Sequence, residues 1–148
     1  MSHIEPLNRL LADATVFYQQ LRNFHWMVNG PYFFALHEKF EELYRKWAEH
    51  GDAIAERILT IGGKPVRTLA AAVEKSGLEE TDKELDATAM VDKVLGDMEH
   101  VERSLHKLLT LGEEAHDRGT VTLLDDIRAG LEKDAWMLRA FQGTGVPY

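Results

Sequence analysis

The chain contains no cysteine. That excludes a disulfide scaffold, a thiol nucleophile and any thiolate-held zinc or iron–sulfur centre. Proline is scarce: there are 4, at positions 6, 31, 65 and 147, and they leave long stretches free for uninterrupted helices. No apolar run approaches the ~20 residues of a membrane span. No segment alternates apolar and polar residues with period two, so no sheet is expected. The opening MSHIEPLNRL has neither the basic nor the apolar region of an export signal, so a cytoplasmic location is expected. Positive charge is short as well, with 17 Lys+Arg against 25 Asp+Glu and a net charge of −8. This deficit argues against coating nucleic acid by charge alone and fits a protein that attracts cations. The 148 residues, 45% hydrophobic and 28% charged, are those of one globular domain, 1–148, able to bury a real core.

Apolar residues recur at three and four in four long segments. The spacing predicts helices over about 4–28, 32–61, 82–116 and 120–142. Asn29-Gly30-Pro31 is a tight turn between the first two. Ser2 with Glu5, and Thr81 with Glu84, are capping boxes that would open the first and third helices. Met90, Met98 and Met137 fall on core seams. The link from Gly62 to Glu80 is long for a compact domain. At ~3.3 Å per residue it can run the ~45 Å length of a thirty-residue helix. Thr68–Lys75 within it has the composition of a short extra helix. The expected architecture is therefore all-α: a ferritin-like four-helix bundle with one long crossover between helices two and three.

Helix two carries a second stripe beside its apolar seam: His37, Glu41, Asp52 and Glu56. His37/Glu41 and Asp52/Glu56 are each i,i+4 pairs, so each can offer two ligands to one spot. Eleven residues at 100° each keep both pairs on nearly one face, yet Glu41 and Asp52 are ~16 Å apart along the axis. One metal cannot touch both pairs of one helix. A second copy lying antiparallel would bring His37/Glu41 of one chain opposite Asp52/Glu56 of the other, with the two-fold axis near Trp47 and two equivalent sites. His25, just before the turn, reaches a height similar to His37. Imidazoles and carboxylates together suit Fe(II), with zinc and manganese as competitors. Phe24, Trp26, Tyr32, Phe33 and Phe34 would wall the site. Taken singly, His25 reads as a packed core histidine and Asp52/Glu56 as a solvated face; it is the combination that points to metal.

Several words in the chain resemble signature blocks of the Dps family. They are Asn23-Phe24-His25-Trp26, the run from Gly30 to Phe40, Asp52-Ala53-Ile54-Ala55-Glu56-Arg57, Gly62-Gly63-Lys64-Pro65 and Trp136-Met137-Leu138. The resemblance runs from about residue 4 to 143. It implies a mini-ferritin that assembles as a hollow homo-dodecamer, with ferroxidase sites at the two-fold dimer interfaces. His25 and His37 of one subunit and Asp52 and Glu56 of its neighbour would be the catalytic metal ligands, joined by Glu41 directly or through water. Such sites oxidise Fe(II), preferentially with hydrogen peroxide, and the shell stores the ferric mineral, protecting against oxidative damage. Many members carry Asp where this chain has Glu41. The resemblance also implies an acidic pore at a three-fold axis, for which Asp117 and Asp126 are the candidates and Thr122 is a departure. Ordinary negative charge near a helix start is the alternative for those two residues.

DNA binding, the other property the family implies, has little support here. Arg9 is the one basic residue before position 22, and none follows Arg139. Weak or absent DNA binding is expected, the alternative being a nucleoid-associated, DNA-compacting protein with minor iron chemistry. A plain helical bundle with a salt-bridged stripe is a third reading. Glu113-x-x-His116 resembles a ferritin di-iron motif but lacks a partner motif and lies at a helix end. His3, His50, His100 and His106 read as surface residues, with His50 the best accessory ligand.

Overall fold

The computed structural model describes residues 2–143. Five helices follow in order: α1 Ile4–Met27, α2 Phe33–Thr60, α3 Leu69–Lys75, α4 Ala87–Glu114 and α5 Arg118–Phe141. Among the described residues there is no strand. The four long helices form the bundle and α3 is the short helix of the crossover, as the periodicity predicts.

The apolar seams meet in one core. Leu7, Leu10, Phe17, Leu21 and Phe24 of α1 close on Leu36, Phe40, Leu43, Trp47, Ile54 and Ile58 of α2. Val91, Val94, Met98, Val101 and Leu105 of α4 and Leu124, Ile127, Leu131 and Leu138 of α5 complete it. Each such buried side chain stabilises the fold by about 1.5–3 kcal/mol. Met90 and Met98 are buried, but Met137 is 41% exposed beside Trp136, so it leaves the seam assigned to it.

α2 and α4 end in the same way, with different residues. Gly62 (φ +93°) follows α2 and lets Gly63 N–H reach the Ile58 carbonyl. After α4 it is His116 that takes the left-handed backbone (φ +56°), while Asp117 N–H bonds the Gly112 carbonyl. Both are Schellman closures. Glu113 and His116 are exposed at this terminus, as expected.

The starts of three helices differ from the sequence reading. Ser2 and Glu5 form no capping box: Ser2 Oγ accepts from Ile4 N–H, while Glu5 pairs with Lys75 of α3 at 2.6 Å. α4 begins at Ala87, not residue 82, with Asp86 accepting from Ala89 N–H at 2.8 Å. Thr81 cannot open the helix because α1 has claimed its backbone. Gln20 accepts from Thr81 N–H and Asn23 donates to its carbonyl. α5 begins at Arg118 with Asp117 as its cap, rather than at 120.

The same device holds the rest of the crossover. Asn8 donates to the Lys64 carbonyl and accepts from Val66 N–H. Buried Asp13 accepts from Ser76 Oγ, Gly77 N–H and, at 2.9 Å, His100 Nε2. Polar residues of α1 thus satisfy a strandless chain that has no ladder of its own. His100 is drawn in by Asp13 and is not the free surface histidine expected. α2 is tied to α5 through buried Asp134, which accepts from Lys46 at 2.7 Å and Lys39 at 3.4 Å.

Candidate metal centre

α1 ends and α2 begins at the same end of the bundle, which sets His25 beside His37. Their rings stack with centroids 3.8 Å apart and planes 14° from parallel. His25 Nδ1 lies 2.7 Å from the His37 carbonyl, and His37 Nδ1 lies 2.7 Å from the His25 carbonyl. A carbonyl oxygen can only accept, so both Nδ1 atoms carry the proton. In each neutral ring the lone pair is therefore at Nε2, the tautomer and orientation typical of a metal-ligating histidine. The two rings hold each other through main-chain atoms and keep both Nε2 atoms available.

Glu41 joins this end. Its Oε1 is 3.7 Å from His25 Nε2, and its Oε2 accepts from Arg45 at 3.0 Å. Two imidazoles and one carboxylate thus lie at the same end of α2, with His25 buried and His37 and Glu41 half-buried.

Asp52 and Glu56 sit further along α2, both exposed. Neither side chain makes an ion pair or hydrogen bond with any described residue. Arg57, next in the chain, is turned away from Glu56 into the bundle, where it donates to Asp117 at 2.6 Å and to Thr120 Oγ1 at 2.9 Å. Among the described residues, no three His, Cys, Asp or Glu side chains converge closely enough in one chain to hold a metal ion.

The aromatic residues divide. Phe33 stacks on His37 at 4.8 Å, and Phe24 packs inward against Phe40. Tyr32 and Phe34 are exposed, Tyr32 meeting Phe141 edge-on, and Trp26 is exposed beneath the Arg22 guanidinium. Tyr44, which the sequence reading passed over, stands edge-on to His25 at 5.4 Å. Its spacing from His37 and Glu41 on α2 was a signal for it. The backbone clasp had none.

The two pore candidates are placed differently. Asp117 is drawn inward, accepting from Thr120, His3 and Arg57. Burial acts to push its carboxyl up, but the hydrogen bonds from Thr120, His3 and Arg57 outweigh this and hold it well below the usual carboxylate range. His3, bonded to Asp117 at 2.7 Å, is accordingly no free surface residue. Asp126 and Thr122 are exposed on α5. His50 is half-buried, edge-on to Trp47 at 4.8 Å, and burial pushes its pKa down; His106 is exposed as expected. Among the described residues no helix is long and apolar enough to cross a membrane.

Comparison with known proteins decides the family. The ferritin-like domain model matches residues 4–145. A DNA protection during starvation protein from Brevibacillus brevis is 48% identical over 135 residues, 91% of each chain. The crystal structure of a Dps protein from Bacillus brevis superposes with a TM-score of 0.91 at 45% identity, covering 96% of this chain and 99% of that one. This chain belongs to the ferritin-like Dps family. A more distant Dps structure, from Vibrio cholerae, matches at 32% identity and a TM-score of 0.91, over 94% of this chain and 87% of that one. That protein is described as a member of the broad superfamily of ferritin-like diiron-carboxylate proteins. Within the Dps fold, then, this chain pairs a clasped imidazole end of α2 with a bare carboxylate end.

Proposed function

We propose that this Dps-family chain is a ferroxidase and iron store. It binds Fe(II) at sites shared across a two-fold dimer interface, oxidises it with hydrogen peroxide in preference to oxygen, and retains the ferric mineral inside a hollow dodecamer. Membership of a family whose Vibrio cholerae representative is described as a diiron-carboxylate protein supports the choice of iron. The observation that carries the reading is the division of α2. His25 and His37 present free Nε2 atoms beside Glu41, while Asp52 and Glu56 stand unpaired about 16 Å along the helix.

An antiparallel second copy of α2 completes the coordination sphere. Its axis passes near Trp47, which is buried against Phe17 and leaves the small residues Ala48 and Gly51 beside it. His25, His37 and Glu41 of one chain then face Asp52 and Glu56 of the other. Imidazole and carboxylate donors accept Fe(II), with zinc and manganese competing for the same set. They stabilise Fe(III) more strongly still, because anionic ligands favour the higher charge. Each peroxide takes one electron from each of two ferrous ions and two protons from solvent; its O–O bond breaks and two waters leave. The two-electron course limits hydroxyl radical, which is the protective part of the function.

Asp117 is proposed to serve as the α5 cap that holds Arg57 away from Glu56, and Asp126 as the acid at the pore entrance. With a net charge of −8 per chain, DNA binding is weak or absent near neutral pH. Retention of plasmid in a gel shift at ~100 mM salt would show otherwise. Stopped-flow Fe(II) oxidation by the assembled particle tests the main reading: peroxide is expected to outpace oxygen, and an equal or reversed order contradicts the preference. Sedimentation tests the shell, with a persistent monomer or dimer as the contrary result.

A further inference from the structure

The crossover is anchored to α1 at three places, and the middle one differs from the others in charge. Val66 N–H donates to Asn8 Oδ1 at 2.8 Å, and Thr81 N–H donates to Gln20 Oε1 at 2.8 Å. Both of these acceptors are side-chain amides, which do not titrate. The middle anchor is Asp13. One of its oxygens accepts from Ser76 Oγ at 2.7 Å and Gly77 N–H at 2.8 Å, and the other faces His100 Nε2 at 2.9 Å. Ser76 Oγ in turn accepts from Leu78 N–H at 3.0 Å. The His100 ring packs directly on the crossover backbone: a Cβ at position 77 would come 2.5 Å from its Cε1. Glycine at that position is what lets the ring reach Asp13.

The charges around this ring do not balance while it is neutral. Asp13 of α1 and Asp97 of α4 are both buried carboxylates. Lys93 of α4 pairs with Asp97 at 2.7 Å. The crossover contributes Ser76 and Gly77, neither of which is charged. Lys75 and Arg9 are drawn instead to Glu5, at 2.6 and 3.8 Å. On α5, Arg128 pairs with Glu102, while Glu132 and Arg139 line a groove with Glu99 of α4. Two buried negative charges thus share one lysine, and the count closes only when His100 is an imidazolium. A neutral ring leaves one buried carboxylate uncompensated, which is costly away from water. Burial already pushes the Asp97 carboxyl up.

We propose that Asp13, His100, Asp97 and Lys93 form a one-proton latch on the crossover, closed over residues 76–78 while His100 is protonated and loosened when that proton leaves. Opening lets water reach the acids, so the neutral ring is no longer penalised. Opening therefore releases a proton and is favoured as pH rises. Imidazole is the side chain that titrates near neutrality, which sets the range in which the latch responds. The latch lies just beyond α3 in the chain, and Leu69 of α3 lines a hollow with Gly51 and Asp52 of α2. Its state decides how firmly α3 is held beside the carboxylate end of the proposed metal centre. The latch itself needs no metal, so it stands or falls apart from the ferroxidase reading.

Amide hydrogen exchange of the assembled protein, without added metal, tests it. Exchange is followed from about pH 6 to about pH 8, the range of imidazole titration, and corrected for the intrinsic pH dependence of amide exchange. The amides of Val66 and Thr81 serve as internal references, because their anchors carry no charge. Protection of the Gly77 and Leu78 amides should fall relative to both references as pH rises, by up to about tenfold per pH unit, the limit for a step that releases one proton. His100→Gln keeps an N–H donor and cannot titrate, so the dependence should vanish. Asp97→Asn leaves Lys93 to balance Asp13 beside a neutral ring, so the dependence should flatten without any change to the histidine. Protection that is constant or rises with pH overturns the latch, as does an equal fall at all three anchors. A slope that survives unchanged in His100→Gln or in Asp97→Asn overturns it as well.

Discussion

The two ends of α2 are built on opposite plans. At the N-terminal end, His37 is locked to His25 by two backbone hydrogen bonds and a ring stack, and Glu41 is steadied by Arg45. Toward the C-terminal end, Asp52 and Glu56 have no partner among the described residues and stand in solvent. One end is arranged before any ligand arrives, and the other is left free to be arranged by what docks on it. In the proposed site, rigid imidazoles would set the direction of the bonds and uncommitted carboxylates would supply the charge. A helix that carries both halves but keeps them apart is suited to completing its sites only with a second copy of itself.

Emptying the bare end should have the largest effect. Asp52→Ala/Glu56→Ala removes two exposed side chains with no partner in the fold, so the chain should still fold and assemble. Peroxide-driven Fe(II) oxidation should fall by about 100-fold, the upper range for disturbing a metal's surroundings. Unchanged initial rates in stopped flow would break the comparison outright.

A smaller effect is expected from Asp117→Asn, which acts on the bare end at one remove. The change weakens the α5 cap and its ion pair with Arg57, destabilising the chain by about 1–2 kcal/mol. It also frees the Arg57 guanidinium to swing toward Glu56. Calorimetry and Fe(II) affinity should fall together; a loss of stability with affinity untouched would confine Asp117 to the cap. The sign with pH follows from the depressed carboxyl of Asp117. A carboxyl held below its unfolded value contributes stability above that value, about pH 4. The contribution is lost as pH falls through the lower folded value. Thermal midpoints of the unaltered protein and Asp117→Asn should therefore converge on acidification.

Least should follow from Arg45→Ala at the ordered end. Arg45 is exposed and its pair with Glu41 is a surface i,i+4 contact, so the thermal midpoint should barely move. Glu41 loses its steady position, which should appear as a modest weakening of metal affinity by titration calorimetry. A collapse of activity equal to that of the Asp52/Glu56 variant would mean that the ordered end depends on a surface ion pair and not on the clasp.

Much of this was legible in the residues. The three-and-four spacing of Leu36, Phe40, Leu43, Trp47, Ile54 and Ile58 placed α2 almost to the residue, because burial enforces periodicity. The i,i+4 stripe placed His37, Glu41, Asp52 and Glu56, the two halves of the proposed site, along one helix, because a helix converts spacing into a face. What stayed hidden depended on contacts distant in the chain. Thr81 and Glu84 read as a helix start, but Gln20 takes the Thr81 backbone, and α4 waits for Asp86. Asn8, Asp13 and Gln20 are polar residues of an amphipathic helix that no local pattern marks as buried; they are buried where the crossover takes their hydrogen bonds. The clasp of His25 and His37 uses carbonyl oxygens, which every residue has, so composition carried no trace of it.

Co-assembly tests the shared site most directly. One chain would carry His25→Ala/His37→Ala and the other Asp52→Ala/Glu56→Ala, each inactive when assembled alone. Unfolded together and refolded as a mixture, they form mixed dimers in which one of the two interface sites draws intact imidazoles from one chain and intact carboxylates from the other. The account predicts that peroxide-driven Fe(II) oxidation returns in the mixture. Mixed particles as inactive as either parent would contradict it.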